Sequence, residues 1–264
     1  RKIIMAVIFY FSGTGNSLNV ANKLGKELAA RVEGISAYLR SPYAIEDEVI
    51  GFVTPVYCYA LPPLVKDFLQ KAQFKAPQYL FGVATMGAMA GQTLNQAEHI
   101  LAQRDIKLHA GFKIALPDSS IVFPSPAKRK EEMLQTEEDK VAQITAAVKS
   151  REENNQRSSF LFVGDIVESV SWWVMKNIYK TDHKHAAEDS CIGCGLCAKI
   201  CPMNCIEMKD EYPVFGENCA NCFACAQWCP QNAIYVGKLV PDQKTKYVHP
   251  GVTAGQMTKQ KTKE

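Results

Sequence analysis

The sequence predicts a doubly wound α/β unit followed by a smaller, separate unit. Two observations predict this. Apolar runs alternate with amphipathic segments over residues 1–155, and nine of the ten cysteines lie between Cys191 and Cys229. Strands that alternate with helices imply βαβ units and a parallel sheet, and right-handed crossovers then cover both of its faces.

Ile3–Phe11 is a continuous apolar run ended by Ser12-Gly13, the pattern of a strand buried on both faces. Leu18, Ala21, Leu24 and Leu28 then recur at helical spacing through Ala30. Val49–Val53, the third strand, precedes a helix over Leu64–Ala72, with Pro62 and Pro63 at its start. Tyr79–Ala84 reads as a strand, Gln92–Arg104 as a helix and Lys107–Leu116 as a last strand. The charged, alanine-rich Lys128–Ser150 is the last helix, so residues 1–155 form one unit.

Residues 156–186 read as a connecting helix and linker. Phe162, Ile166, Val170, Trp173 and Val174 share one helical stripe, expected to pack on the first unit. A membrane-surface helix would carry a Lys/Arg-rich polar face, which is missing here. No uncharged apolar stretch is long enough to span a bilayer.

Formal charge is +3, and Lys238–Glu264 alone carries +4, which leaves about −1 for the rest of the chain. That balance argues against nucleic acid as a partner, because such binding needs a broad basic surface. Residues 239–264 read as a solvated basic tail.

A disulfide scaffold would spread its cysteines over loops of a secreted chain. Here Arg1–Met5 lacks a signal-like apolar run, and Cys58 alone precedes Cys191. Reduced thiols, and a cytoplasmic location, are expected. So dense a cluster of thiols implies metal. The run Cys191, Cys194, Cys197, Cys201-Pro202 recurs in the same spacing as Cys219, Cys222, Cys225, Cys229-Pro230. The same offset also matches Asn204 to Asn232 and Ile206 to Ile234. Three thiolates of a C-x2-C-x2-C-x3-C-P run grip one [4Fe–4S] cube, and the fourth reaches the other. One cluster is thus expected on Cys191, Cys194, Cys197 and Cys229, and a second on Cys219, Cys222, Cys225 and Cys201. Structural zinc would use paired C-x2-C knuckles with a longer insertion between them, which the duplicated third and fourth cysteines do not fit. Cys205 aligns with Ala233 and reads as a small buried hydrophobe, with a spare ligand or redox switch as the alternative. The module resembles bacterial two-cluster ferredoxins over residues 187–238.

Ser12-Gly-Thr-Gly-Asn-Ser17 joins the first strand to the first helix. It is neither G-x-G-x-x-G nor a P-loop, since no lysine is present to meet a triphosphate. Ser12, Thr14, Gly15, Asn16 and Ser17 instead form a hydroxyl- and amide-rich nest at a helix N-terminus, suited to one phosphate. A plain capped turn would explain one hydroxyl, not three. In an open doubly wound sheet, the loops after the third and fourth strands gather beside it, at the switch point. Thr54, Pro55, Val56 and Tyr57 lie on one and Thr85, Met86, Gly87 and Gly91 on the other. A slot for a flat ring on a monophosphate results, which is FMN. Cys58 reads as a packed side chain, with no Lys, Arg or His near it in sequence to lower its pKa.

Through the S-G-T-G-N-S loop and the aromatic second loop, residues 1–155 resemble flavodoxins. Nearly the whole chain resembles the flavodoxin–bacterial ferredoxin fusion proteins of anaerobes, the EFR1-family ferredoxin type. This resemblance implies a flavodoxin-like sheet of strand order 2-1-3-4-5 and a small α+β two-[4Fe–4S] ferredoxin domain. It also implies FMN with its phosphate on Ser12 to Ser17 and its ring between Pro55–Tyr57 and Thr85–Gly87. Met86 and Met89 stand where many flavodoxins carry acidic and aromatic residues. The expected function is an electron relay between FMN and two clusters, serving soluble redox proteins or oxidoreductases. An FMN-dependent reductase fed by the clusters and a redox or oxygen sensor are the alternatives. A homodimer is the expected remedy if flavin and cluster lie far apart in one chain.

Overall fold

The computed structural model describes residues 5–154, 161–186, 189–237, 239 and 246–262. The apolar runs become strands. In chain order, the first unit comprises β1 (Ala6–Tyr10), α1 (Asn16–Leu28), β2 (Arg31–Gly34), α2 (Ile35–Arg40), β3 (Ala44–Ile45) and β4 (Val49–Pro55). It continues with α3 (Pro63–Lys71), β5 (Gln73–Phe74), β6 (Tyr79–Met86), α4 (Thr93–Ala102), β7 (Ala110–Ala115), α5 (Ala127–Gln135) and α6 (Glu137–Lys149). Five strands form one parallel sheet in the order β2-β1-β4-β6-β7, and β3 and β5 form a minor parallel pair. Counting only the strands of the main sheet, the order is 2-1-3-4-5, that of flavodoxin-like folds.

Every residue of β1 and nearly all of β4 and β6 are buried, as a sheet covered on both faces requires. Phe9 sits between Phe68 and Tyr38, at centroid distances of 4.9 and 5.4 Å. In that way α2 and α3 are fastened to one face of the sheet by aromatic packing. The expected single helix over 128–150 is instead two, broken at Thr136. The second begins Glu137-Glu138-Asp139, acids placed where the helix dipole favours them. Ile3 and Ile4, expected in the first strand, lie outside the described residues.

The connecting helix α7 (Leu161–Asn177) forms, but its stripe faces the wrong way for the expected packing. Ile166 is 63% exposed, Val170 55% and Trp173 58%, while the side chain of Phe162 lies outside the described residues. The helix is held from its polar side: Glu168 accepts from Lys66 at 2.9 Å, and also from Gln96.

The cysteine-rich unit starts earlier than expected. β8 (Lys184–Ala186) pairs antiparallel with β11 (Ile234–Val236), so residues 184–186 are part of it rather than linker. Between them lie α8 (Leu196–Ile200), the hairpin β9 (Ile206–Lys209) and β10 (Tyr212–Phe215), and α9 (Ala224–Gln227). The cysteine repeat is structural as well as sequential. α8 and α9 begin at the repeat mates Leu196 and Ala224, and β9 and β11 at Ile206 and Ile234. The left-handed residues Gly193, Gly195 and Asn204 are matched by Asn221, Phe223 and Asn232.

The basic end is not a solvated tail. After Lys246 the chain folds back across both units through α10 (Ala254–Thr258) and a 3-10 turn (Lys259–Lys261). Tyr247, His249, Val252, Met257 and Gln260 are buried. The segment's lysines give it the composition of a surface tail, but these five side chains are spaced between them and are buried.

Candidate functional site

The site forms where the carboxyl ends of β1, β4 and β6 meet the cysteine-rich unit. The loop from Ser12 to Gly15 leaves β1, and Gly15 caps α1 at φ 100°, a conformation that favours glycine. The N–H groups of the first helical turn have no intrahelical partner, so they point into the loop as donors. The hydroxyl-bearing Ser12, Thr14 and Ser17 are all buried there. Ser12 Oγ accepts from the Gly15 N–H at 3.0 Å, and the Ser17 and Thr85 hydroxyls lie 2.9 Å apart. No carboxylate belongs to the loop. Its donor chemistry fits a phosphate.

The second and third loops are knitted together. Val56 N donates to Thr85 O at 3.1 Å, Gln92 N donates to Tyr59 O at 2.7 Å, and Val56 and Met86 pack on Ala84, Ala90 and Leu94. Tyr57 and Ala60 exchange both main-chain hydrogen bonds, which forces Cys58 and Tyr59 to φ 49° and 62°. Such strain in two non-glycine residues is stored where surrounding contacts overdetermine it. Thr54 is fully buried near the end of β4, and Pro55 is its last residue. Burial pushes the Cys58 thiol up to about 11, in keeping with a packed, unreactive side chain.

Tyr57 is placed differently from a ring lying open on the loop. It packs edge-on against Phe11, and its hydroxyl approaches Gly13 and the cysteine-rich unit. Burial raises its phenol well above the ordinary range, and Cys222 and Cys219 raise it further. Tyr59 is the more exposed of the pair.

The eight repeat cysteines separate into two groups. One cavity is lined by Cys201, Cys219, Cys222 and Cys225 together with Cys205. A second is lined by Cys191, Cys194, Cys197 and Cys229. The fourth cysteine of each run therefore lies with the first three of the other run. Among the described residues, no set of three or more His, Cys, Asp or Glu side chains converges on a single ion. Four repeat thiols line each space, and an all-thiolate donor set of that kind fits iron–sulfur. Burial pushes the Cys222 thiol up to about 12 and Cys197 to about 11. Cys219 is lowered, by a hydrogen bond from Cys205 and by Lys184, whose ammonium lies 3.2 Å from its sulfur. Cys205 Sγ lies 3.5 Å from Cys201 Sγ, so a fifth thiol lines the first cavity.

The two units touch at the glycine loop. A Cβ on Gly13 would fall 2.4 Å from the Cys222 carbonyl oxygen and 3.1 Å from the Tyr57 hydroxyl. Trp228 Nε1 donates to Gly13 O at 3.1 Å, and Gln227 donates to Ser119 O at 2.8 Å. Ala220, Cys222 and Ala224 belong to the same apolar cluster as β1 and α1. From the other side, His249 N donates to Thr14 O at 2.8 Å and the Tyr247 hydroxyl to Asn16 Oδ1 at 2.8 Å. His249 is held in turn by Glu137 at 2.9 Å, both side chains being buried. Asn16 also donates to Pro117 O at 2.9 Å.

Several of these residues carry no sequence signal. Trp228 stands at an unspecified position inside its cysteine run, where its repeat mate is Ile200. Asp118 follows β7, yet its carboxylate occupies the space a Cβ on Gly87 would need, 2.7 Å away. Burial raises its pKa, against a hydrogen bond from Ser120 and the charge of Arg129. His249, Lys246 and Lys261 come from a segment whose composition reads as surface.

Residues 190–233 match the family described as 4Fe-4S dicluster domain. No curated protein matches the chain. Among solved structures the chain is similar to a flavodoxin from Streptococcus pneumonia TIGR4, at 15% identity and a TM-score of 0.33, over 53% of this chain and 99% of that one. It is similar to the Trp repressor binding protein of Bacillus subtilis at 16% identity and 0.36, over 50% and 94%. A third likeness is the rubredoxin oxygen:oxidoreductase of Desulfovibrio gigas, at 14% identity and 0.35, over 54% and 36%. Strand order, not these scores, carries the fold assignment. Among the described residues no helix is long and apolar enough to cross a membrane. The chain joins an α/β unit of flavodoxin-like strand order to a unit whose residues 190–233 match the 4Fe-4S dicluster domain.

Proposed function

We propose that this chain is an electron-transfer protein that relays electrons between FMN and two [4Fe–4S] clusters, and on to soluble redox partners. FMN would be held by Ser12, Thr14, Gly15, Asn16 and Ser17 at its phosphate, with Thr54–Tyr57 and Thr85, Met86, Gly87 and Gly91 flanking the ring. Cys191, Cys194, Cys197 and Cys229 would hold one cluster, and Cys219, Cys222, Cys225 and Cys201 the other. A flavin accepts one or two electrons and each cluster one, so the bound groups would interconvert two-electron and one-electron traffic.

The contact of Gly13 with Cys222 carries this reading. It sets the phosphate loop against the backbone of a cysteine that lines the inner cavity. Cys222 and Cys225 are buried, whereas Cys194 of the second group is exposed beside the exposed Ile192. Order from inside to outside is therefore flavin site, buried cysteine group, exposed cysteine group. Loop and cysteines meet within one chain, so transfer needs no second copy. Oxygen-labile clusters and reduced thiols suit the cytoplasm of an anaerobe.

A reductase remains the second reading because of Asp118, a half-buried carboxyl with a raised pKa beside Gly87. It is the proton donor such chemistry would need near the ring. Photoreduction of the flavin in anaerobically purified protein, with the clusters followed separately, tests the proposal. Rapid equilibration without added substrate supports the relay. Flavin reoxidation that requires a small substrate supports the reductase, and absence of any transfer rejects the relay.

A further inference from the structure

The C-terminal segment ends on both cysteine groups, and it does so in an equivalent way. Asn204 and Asn232 are repeat mates, each placed just after the fourth cysteine of its run, Cys201 and Cys229, at φ 50° and 52°. Lys261 Nζ donates to Asn204 Oδ1 at 2.9 Å and to Ala198 O at 2.8 Å. Lys246 Nζ donates to Asn232 Oδ1 at 2.8 Å and to Cys229 O. Among the described residues neither lysine has a carboxylate at ion-pair distance. Between them the segment is pinned by the burial of Tyr247, His249, Val252, Met257 and Gln260, which fixes where both ammonium groups sit. Lys246 thus sits on the main chain of Cys229 itself, and Lys261 on the turn that follows Cys201, so each ammonium is held at the fourth cysteine of one run.

Resting on the two-cluster reading above, we propose that Lys246 and Lys261 are paired positioning residues, one for each iron–sulfur site, that make each site easier to reduce. The physical reason is charge. A one-electron reduction adds one unit of negative charge to the cluster and its four thiolates, and no proton or bond changes hands. A fixed cation held at the fourth ligand favours the reduced form, and net charge and hydrogen bonding around the sulfurs are what set cluster potentials. Because the fourth cysteines cross between cavities, Lys261 acts on the Cys201, Cys219, Cys222, Cys225 site and Lys246 on the other. A lysine-rich end that looks like a solubilising tail becomes part of the redox machinery.

The test is an anaerobic redox titration of full-length protein, read by electron paramagnetic resonance, on wild type, Lys246→Gln, Lys261→Gln and the double variant. Each single variant is expected to weaken reduction of one cluster about tenfold, ~59 mV for a one-electron couple, with iron content unchanged. The two variants move different steps, the double variant moves both, and Lys246→Arg or Lys261→Arg restores most of the shift. Asn232→Ala and Asn204→Ala, which free the ammonium without removing charge, give smaller shifts in the same direction and serve if a glutamine variant fails to fold. Unmoved potentials in iron-replete variants would overturn the inference while leaving the two-cluster reading intact. Wild-type protein without about eight irons would overturn that reading itself.

Discussion

Substituting Gly13 with alanine tests the contact between the units at its tightest point. The added Cβ would stand 2.4 Å from the Cys222 carbonyl oxygen and 3.3 Å from the carbonyl carbon. Carbon and carbonyl oxygen rest at about 3.3–3.6 Å, so the shortfall is about 1 Å. Both sides are main chain, and no side-chain rotation relieves it. The loop and the cysteine run must part, at the ~1–3 kcal/mol typical of overpacking. At ~2–4 °C per kcal/mol for a chain of this size, the melting temperature falls by ~2–12 °C. Gly255→Ala is the control. Its Cβ meets nothing closer than Thr253 Oγ1 at 3.9 Å, and removing glycine from a helix is worth up to ~1 kcal/mol. Calorimetry of the two variants, paired with the rate of flavin–cluster exchange, reads both effects. If Gly13→Ala melts with wild type and exchanges electrons at the wild-type rate, the loop does not abut Cys222 and the reasoning fails.

Trp228→Phe keeps an aromatic ring but loses the indole donor to Gly13 O, which costs about 1 kcal/mol and is checked by the urea midpoint. On the proposed reading Cys222→Ala removes a ligand of the inner site and Cys194→Ala one of the outer, so each is expected to lower iron by about four per chain. Only the first abolishes direct exchange with the flavin, as iron analysis and photoreduction together will report. Burial pushes the Glu137 carboxyl up, but His249, Asn19 and Lys23 outweigh it and hold it below the usual range. Its stabilisation is therefore complete above the ordinary carboxylate pKa and is lost as pH falls through the lowered folded value. In Glu137→Gln that acid limb flattens, a difference visible in melting temperature measured from about pH 6 to about pH 3.

Much of the fold is legible because its signals are local. β1, β4 and β6 are buried on both faces, so their apolar runs leave little doubt. β2 has the sequence Arg-Val-Glu-Gly at a half-exposed sheet edge, where no apolar run is needed, and nothing in its pattern marks it as a strand. The cysteine repeat foretells the crossing of the two groups because the spacing itself imposes the geometry. The stripe of α7 shows how far periodicity reaches. It defines an apolar face on Ile166, Val170 and Trp173 but not whether anything covers it. Asp118 and Trp228 reach the site through contacts with residues remote in sequence, Gly87 and Gly13. His249, Lys246 and Lys261 come from a segment of misleading composition. Pattern alone does not pair Lys261 with Asn204, although the repeat does single out Asn204 and Asn232.

The central claim is that the glycine loop and the inner cysteine group belong to one electron path within one chain. Laser-flash reduction of the flavin over a hundredfold range of protein concentration addresses it most directly. The account predicts cluster reduction at a first-order rate that does not change with concentration. A rate that rises in proportion to concentration would place the transfer between chains, and contradict it.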